Sequence, residues 1–234
     1  MPPAIKYNVL ASLLALVLCV LFFEVSNLDM AIQHHFFDPQ THHWLLDRNE
    51  PILKFILYDG MKVLLVLFAL AVFVALVFFR KTKLVRNYRK GLLIVLLTAI
   101  LVPSVVGELK TITNMPCPRD LSSFNGNYPH IKLFEHYPKE FHQPERMRCY
   151  PAGHASGGFA LLSLFYLFKT ARKRRYALLL GMGVGWSTGI YKMLIGDHFL
   201  SHTLVTMILA WLIASAMAWL VEIIDSVRRK AVDD

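Results

Sequence analysis

Three histidines and a few well-placed cations carry the chemistry open to this sequence. His154 stands in "CYPAGHASGG" (149–158), at the head of an apolar run, with small residues packed around it. His198 and His202 stand in "GDHFLSH" (196–202), at the head of another. Lys110 and Lys192 each close an apolar run, and Arg119 follows Lys110 in a loop. Ionisable side chains at the mouths of membrane helices are rare unless they serve a function. Free backbone N–H groups at a helix N-terminus favour an anion. Lysine and arginine neutralise phosphoryl oxygens, and histidine works near neutral pH as nucleophile or general acid. The set therefore suits phosphate binding and phosphoryl transfer. Two other readings use the same residues. One takes them as interfacial charges at helix ends. The other gathers His154, His198 and His202 around zinc, since "HFLSH" has the i, i+4 spacing of two helical ligands, although it lacks the glutamate of His-Glu-x-x-His.

These residues meet only if the apolar runs form a bundle that brings their ends to one level. Six runs are long enough, at about 20 residues, to cross a bilayer as helices: roughly 7–27, 61–80, 91–109, 152–170, 176–195 and 200–222. The formal net charge of +9 raises the question of nucleic acid, and the placement of the charge answers it. Fifteen of the 25 Lys and Arg sit at Lys6, in 80–90, in 169–175 and in 228–230. These short segments flank apolar runs, as the positive-inside rule expects of cytoplasmic loops. No nucleic-acid partner is expected. With Lys6 inside and no small-residue cleavage site, the first run reads as a retained span. Both termini then face the cytoplasm, and all four basic clusters fall on the same side. The whole chain, 1–234, reads as one all-α membrane domain.

Two longer segments fall on the outer side. Segment 28–60 mixes aromatic residues with His, Asp and Asn; it is expected to hold a short interfacial helix with Trp44 at headgroup level. The pairs His34–His35 and His42–His43 lack the spacing of a metal site and read as a solvated loop. Segment 110–151 carries Pro116, Pro118, Pro129, Pro138 and Pro144, shows no 3.6 period, and should be irregular. A loop of that length is more often functional than not. Cys117 and Cys149 lie near its ends, and outside the cytoplasm they can close it as a disulfide. Cys19, within the first span, reads as a core residue. Gly181, Gly185 and Gly189 recur every four residues and mark a helix-packing face.

In this topology Lys110, Arg119, His154, Lys192, His198 and His202 converge at the outer face. Their pattern resembles the type 2 phosphatidic acid phosphatase (PAP2) superfamily, whose membrane members are six-span lipid phosphatases. The family pattern has three pieces: Lys, six residues, Arg-Pro; Pro-Ser-Gly-His; and Ser-Arg, five residues, His, three residues, Asp. The middle piece stands here as Pro151-Ala152-Gly153-His154, with alanine for serine. Six residues after Lys110 comes Cys117-Pro118, so cysteine takes the place of the first arginine, with Arg119 two positions on. In the third piece Tyr191-Lys192 replaces Ser-Arg, His198 is kept, and His202 stands where aspartate is expected. This looks like a divergent, bacterial-type branch.

The resemblance implies a PAP2/haloperoxidase-like bundle and a phosphohistidine reaction without metal or cofactor. His198 would attack phosphorus and His154 would protonate the leaving oxygen. Lys110, Lys192, Arg119 and backbone N–H groups near Gly153 would hold the phosphate oxygens. His202 would orient the His198 ring, with Asp197 and Asp120 as possible substitutes. Implied substrates are membrane lipid phosphates: phospholipids such as phosphatidic acid or phosphatidylglycerol phosphate, polyprenyl diphosphates, or a lipid A phosphate. They would be hydrolysed at the outer, periplasmic face of the cytoplasmic membrane. Transfer to a second lipid is the near alternative. A protein of this fold that binds or transports lipid without catalysis is the more distant one.

Overall fold

The computed structural model describes residues 3–233 and is mostly helical. Helix α1 (Pro3–Val25) is apolar on all sides and leaves Leu10, Leu14, Leu18 and Leu21 exposed, as suits lipid contact. It leans on the C-terminal helix α9 (Leu200–Asp233). A short helix α2 (Leu28–His34) follows, then a two-stranded antiparallel hairpin, β1 (Phe37–Asp38) and β2 (His43–Trp44). Trp44 belongs to this hairpin and not to an interfacial helix. Its ring packs against Phe37, Phe124 and the backbone of Gly196, whose φ of +73° suits glycine.

The second long helix starts about ten residues before the apolar run that announces it. Glu50 accepts the N–H groups of Ile52 (3.2 Å) and Leu53 (2.5 Å), and Pro51 opens the first turn, which starts α3 (Pro51–Lys54). The chain then widens into a π turn at Phe55–Asp59 and continues as α4 (Gly60–Phe78). Gly60 permits the bulge, because a Cβ there would lie 2.8 Å from the Phe55 carbonyl oxygen. Next comes α5 (Lys83–Thr113), capped by the Thr82 hydroxyl and ending at Asn114 in the left-handed region. Residues 114–152 contain only two 3₁₀ turns, at Pro118–Asp120 and Ser122–Phe124. A cis Tyr150–Pro151 peptide leads into α6 (Gly153–Ala160). A 3₁₀ turn at Leu161–Ser163 joins α6 to α7 (Leu164–Leu167), and α8 (Ala171–Leu194) precedes α9.

Four of these helical stretches are long and apolar enough to cross a membrane: α1, α3–α4, α5 and α9. The sequence expectation was six. The stretch expected at 152–170 is interrupted and ends at Leu167. The stretch expected at 176–195 is a full-length helix, but it carries Arg172–Arg175 in its first turns and Lys192 in its last. The first lies inside the bundle, whereas α8 buries one face and leaves Tyr176, Leu179, Leu180 and Ile190 exposed on another. The α6–α7 stretch packs between α5, α8 and α9, with Ala155, Phe159 and Leu162 buried alongside Val102 and Ala210. Gly181, Gly185 and Gly189 bring α8 against Leu162, Phe159 and Thr203, leaving no room for a Cβ.

Helix α4 is attached differently at its two ends. Phe68, Val72 and Leu76 pack against Leu92, Val95 and Leu96 of α5. Nearer its start, α4 stands off from α6, and a groove remains between them. Over the end of the bundle where α4 starts and α5 stops, the 114–152 segment forms an aromatic cap. Leu121, Phe124, Tyr128 and Met147 enclose a core with Phe37 and Phe199. Arg146 ties that cap to the bundle by donating to the Thr111 and Ile112 carbonyls at the open end of α5 (2.8 and 2.9 Å).

Candidate functional site

His154 sits in the first turn of α6, where Ala152 offers no side-chain cap. His198 sits in the turn between α8 and α9, where its N–H donates to the Lys192 carbonyl (3.2 Å). His202 sits in the first turn of α9, itself capped from a distance by Asp29, which accepts the Ser201 N–H (2.9 Å). These placements bring the three rings into a row. Nδ1 of His154 lies 3.3 Å from Nε2 of His198, and Nδ1 of His198 lies 3.4 Å from Nδ1 of His202. His198 is thus engaged from both sides of its ring.

That row accommodates a tautomer pattern that frees a nucleophilic nitrogen. With its proton on Nδ1, His198 donates to a bare Nδ1 of His202 and leaves its own Nε2 bare toward His154. The His202 proton then sits on Nε2, a buried nitrogen without a hydrogen-bond partner, while the ring meets Tyr150 edge to face. Burial, reinforced by His202, His154, Lys110 and Lys192, holds the His198 imidazole well below its ordinary pKa. Burial thus favours the neutral ring.

A cavity of about 390 Å³ opens in front of His154 and His198. Lys110, Arg119 and Lys192 line it, together with three cations that no motif in the sequence marks: Arg48, Lys54 and Arg148. Lys110, in the last turn of α5, lies against Gly153, whose missing side chain makes room for it. Gly153 itself faces the α4–α6 groove and is not part of the cavity wall. His202 is also outside the wall, fully buried behind His198. One carboxylate, Asp197, lines the same cavity and meets three of these cations. Asp197 pairs with Arg119, accepts from Lys192 (2.8 Å) and lies 4.0 Å from Arg48. It is therefore occupied with cations and does not replace the orienting aspartate beside His198. Asp120 is likewise turned to Arg119 (3.5 Å).

Cys117 and Cys149 form a disulfide with Cα atoms 5.2 Å apart, and both line the cavity. The bridge joins the segment bearing Arg119 to the segment leading into His154. Cys149 Sγ also lies close to His198 and His202, all three within 4.8 Å of one another. Its sulfur is committed to the disulfide and cannot serve as a thiolate ligand. Nor do the three histidines converge on a point, since His154 and His202 address opposite nitrogens of His198. The geometry suits proton sharing along a row better than a three-histidine metal centre. Cys19 remains a free thiol in α1.

What this arrangement offers is a bare, neutral imidazole nitrogen facing a second imidazole, in a chamber lined by six cations and one carboxylate. Such a chamber attracts a phosphate and stabilises charge on its oxygens. A family model described as PAP2 superfamily matches residues 91–224, more than half of the chain. No curated protein and no solved structure matches it.

Proposed function

Given that the chain belongs to the PAP2 superfamily, we propose that it is a membrane lipid phosphatase acting through a phosphohistidine. One observation supports this most directly: His198 Nε2 and His154 Nδ1 face each other at 3.3 Å beside the Lys110, Arg119 and Lys192 cluster. In the proposed reaction His198 Nε2 attacks phosphorus, forming an N–P bond as the P–O bond to the lipid breaks. His154, entering the step as the imidazolium, gives its proton to the departing oxygen and is left neutral. Water, deprotonated by His154, then attacks phosphorus, breaks the N–P bond and returns His198 with release of inorganic phosphate. Lys110, Lys192 and Arg119 balance charge on the phosphoryl oxygens, and His202 accepts a hydrogen bond from the His198 Nδ1–H, which stays on His198 throughout.

The substrate is proposed to be a lipid monophosphate or diphosphate. The four apolar helices fit a bilayer environment for it. The wider topology is part of the same reading: one domain whose six helical stretches cross the inner membrane, with both termini cytoplasmic and the site on the outer face. Hydrolysis is preferred over transfer because water needs no second lipid site.

Phosphate release by purified protein, screened across dispersed phospholipid phosphates and polyprenyl diphosphates, tests the proposal. Release should persist in chelator. It should fall at least about a thousandfold in His198→Ala and in His154→Ala while the melting temperature stays near that of the parent. Undiminished release by His198→Ala would end the mechanism.

A further inference from the structure

Tyr58 belongs to no motif and lies outside the residues matched by the family model, yet it touches two of the groups placed at the chemistry. Its ring meets His154 edge to face at 4.8 Å between centroids, and the Lys192 ammonium sits 4.4 Å from its centre. The π turn at Phe55–Asp59 puts it there, by shifting the register of the α3–α4 helix where it passes the chamber. Tyr58 also borders two cavities. On one side is the cationic chamber. On the other is the α4–α6 groove, about 300 Å³, walled by Leu65, Val66, Ala99 and Gly157 and reaching His154 at its inner end. Polar space and apolar space thus join at a single aromatic ring.

An amphiphile fits that junction. Its phosphate belongs among the cations, and its hydrocarbon has an apolar groove starting at the same histidine. We propose that Tyr58 is a positioning residue that holds the His154 ring and the Lys192 ammonium, and that it marks the turn where a lipid phosphate's tail leaves the chamber for the α4–α6 groove. This rests on the phosphatase reading. Tyr58 acts through its ring face and edge, so phenylalanine can replace it and a small side chain cannot. Gly157 keeps the groove open: a side chain there would enter it, the nearest obstacle being the movable end of Leu65 at 3.2 Å.

The experiment compares hexadecyl phosphate with butyl phosphate, each at a fixed mole fraction in detergent micelles. Tyr58→Ala should lower kcat on both by about ten- to a hundredfold, the scale of a displaced catalytic group. Tyr58→Phe should recover most of it. Gly157→Leu should lower the ratio of kcat/KM for the long over the short substrate by about tenfold or more. A Tyr58→Phe protein as impaired as Tyr58→Ala, or a Gly157→Leu ratio equal to the parent's, overturns the proposal. Absence of phosphate release by the parent on either substrate overturns the phosphatase reading with it; release that is insensitive to these variants leaves that reading standing and removes this one.

Discussion

His202 is the residue at which this chain departs furthest from the pattern it resembles. A neutral imidazole can accept a hydrogen bond from His198, but in the proposed reaction it brings no negative charge to balance the imidazolium that forms as phosphorus is attacked. His202→Ala should lower kcat by about ten- to a hundredfold, because His198 loses the partner that sets its tautomer and angle. His202→Asp restores a charge, and activity should be retained or raised; both variants are read by phosphate release against the His198→Ala control. A His202→Asp protein as inactive as His202→Ala would show that the site depends on imidazole at this position. Lys110, Lys192 and the histidines could be picked out because each stands at the end of an apolar run, where charge is conspicuous, and Arg119 because it falls two positions beyond the first motif piece. Arg48 and Arg148 could not, since they lie in polar segments where cations are ordinary, nor could Lys54, a single charge in the stretch 51–58 that no motif marks. The partners of Asp197 were equally hidden: its place beside His198 in sequence says nothing about which way its carboxylate turns.

The elements show the same division between what periodicity reveals and what local chemistry decides. Helices α1, α5 and α9 are visible as apolar runs of spanning length. The early start of α3–α4 had a signal, an acidic residue followed by proline, which hydropathy alone passes over. The interruption at Leu161–Ser163 carries no proline and no glycine, so nothing local announces it. The irregular character of 114–152 followed from its prolines, whereas its aromatic core with Phe37 and Phe199 is a matter of tertiary packing. The Cys117–Cys149 bridge holds that cap across a separation of 32 residues. Closing such a loop stabilises a fold by about 3–4 kcal/mol on the chain-entropy account, whose mechanism is disputed. Reduction, or Cys149→Ser, should therefore lower the melting temperature. It should also lower activity, because Arg119 and His154 lose their covalent link. A melting curve and rate unchanged by reductant would show that the cap is held by its packing alone.

At the scale of the whole molecule, the proposed orientation rests on the basic clusters. A reporter fused within 80–90 or 169–175 should behave as cytoplasmic, and one fused at Asn125 as exported. Export of the first two would invert the proposed orientation and put the chamber on the opposite face. The half-attached α4 bears on how substrate arrives. Its outer face is apolar and open along Val63, Val66, Leu67 and Leu70, and the groove beneath it runs to the chemistry without crossing the aromatic cap. A lipid entering there never passes through water. On the proposed function, encounter is then a two-dimensional search, and the concentration that governs turnover is the lipid's share of the bilayer, not its amount per litre. Adding inert phospholipid to vesicles of fixed substrate content should slow the reaction in proportion to the surface dilution, while adding buffer should not.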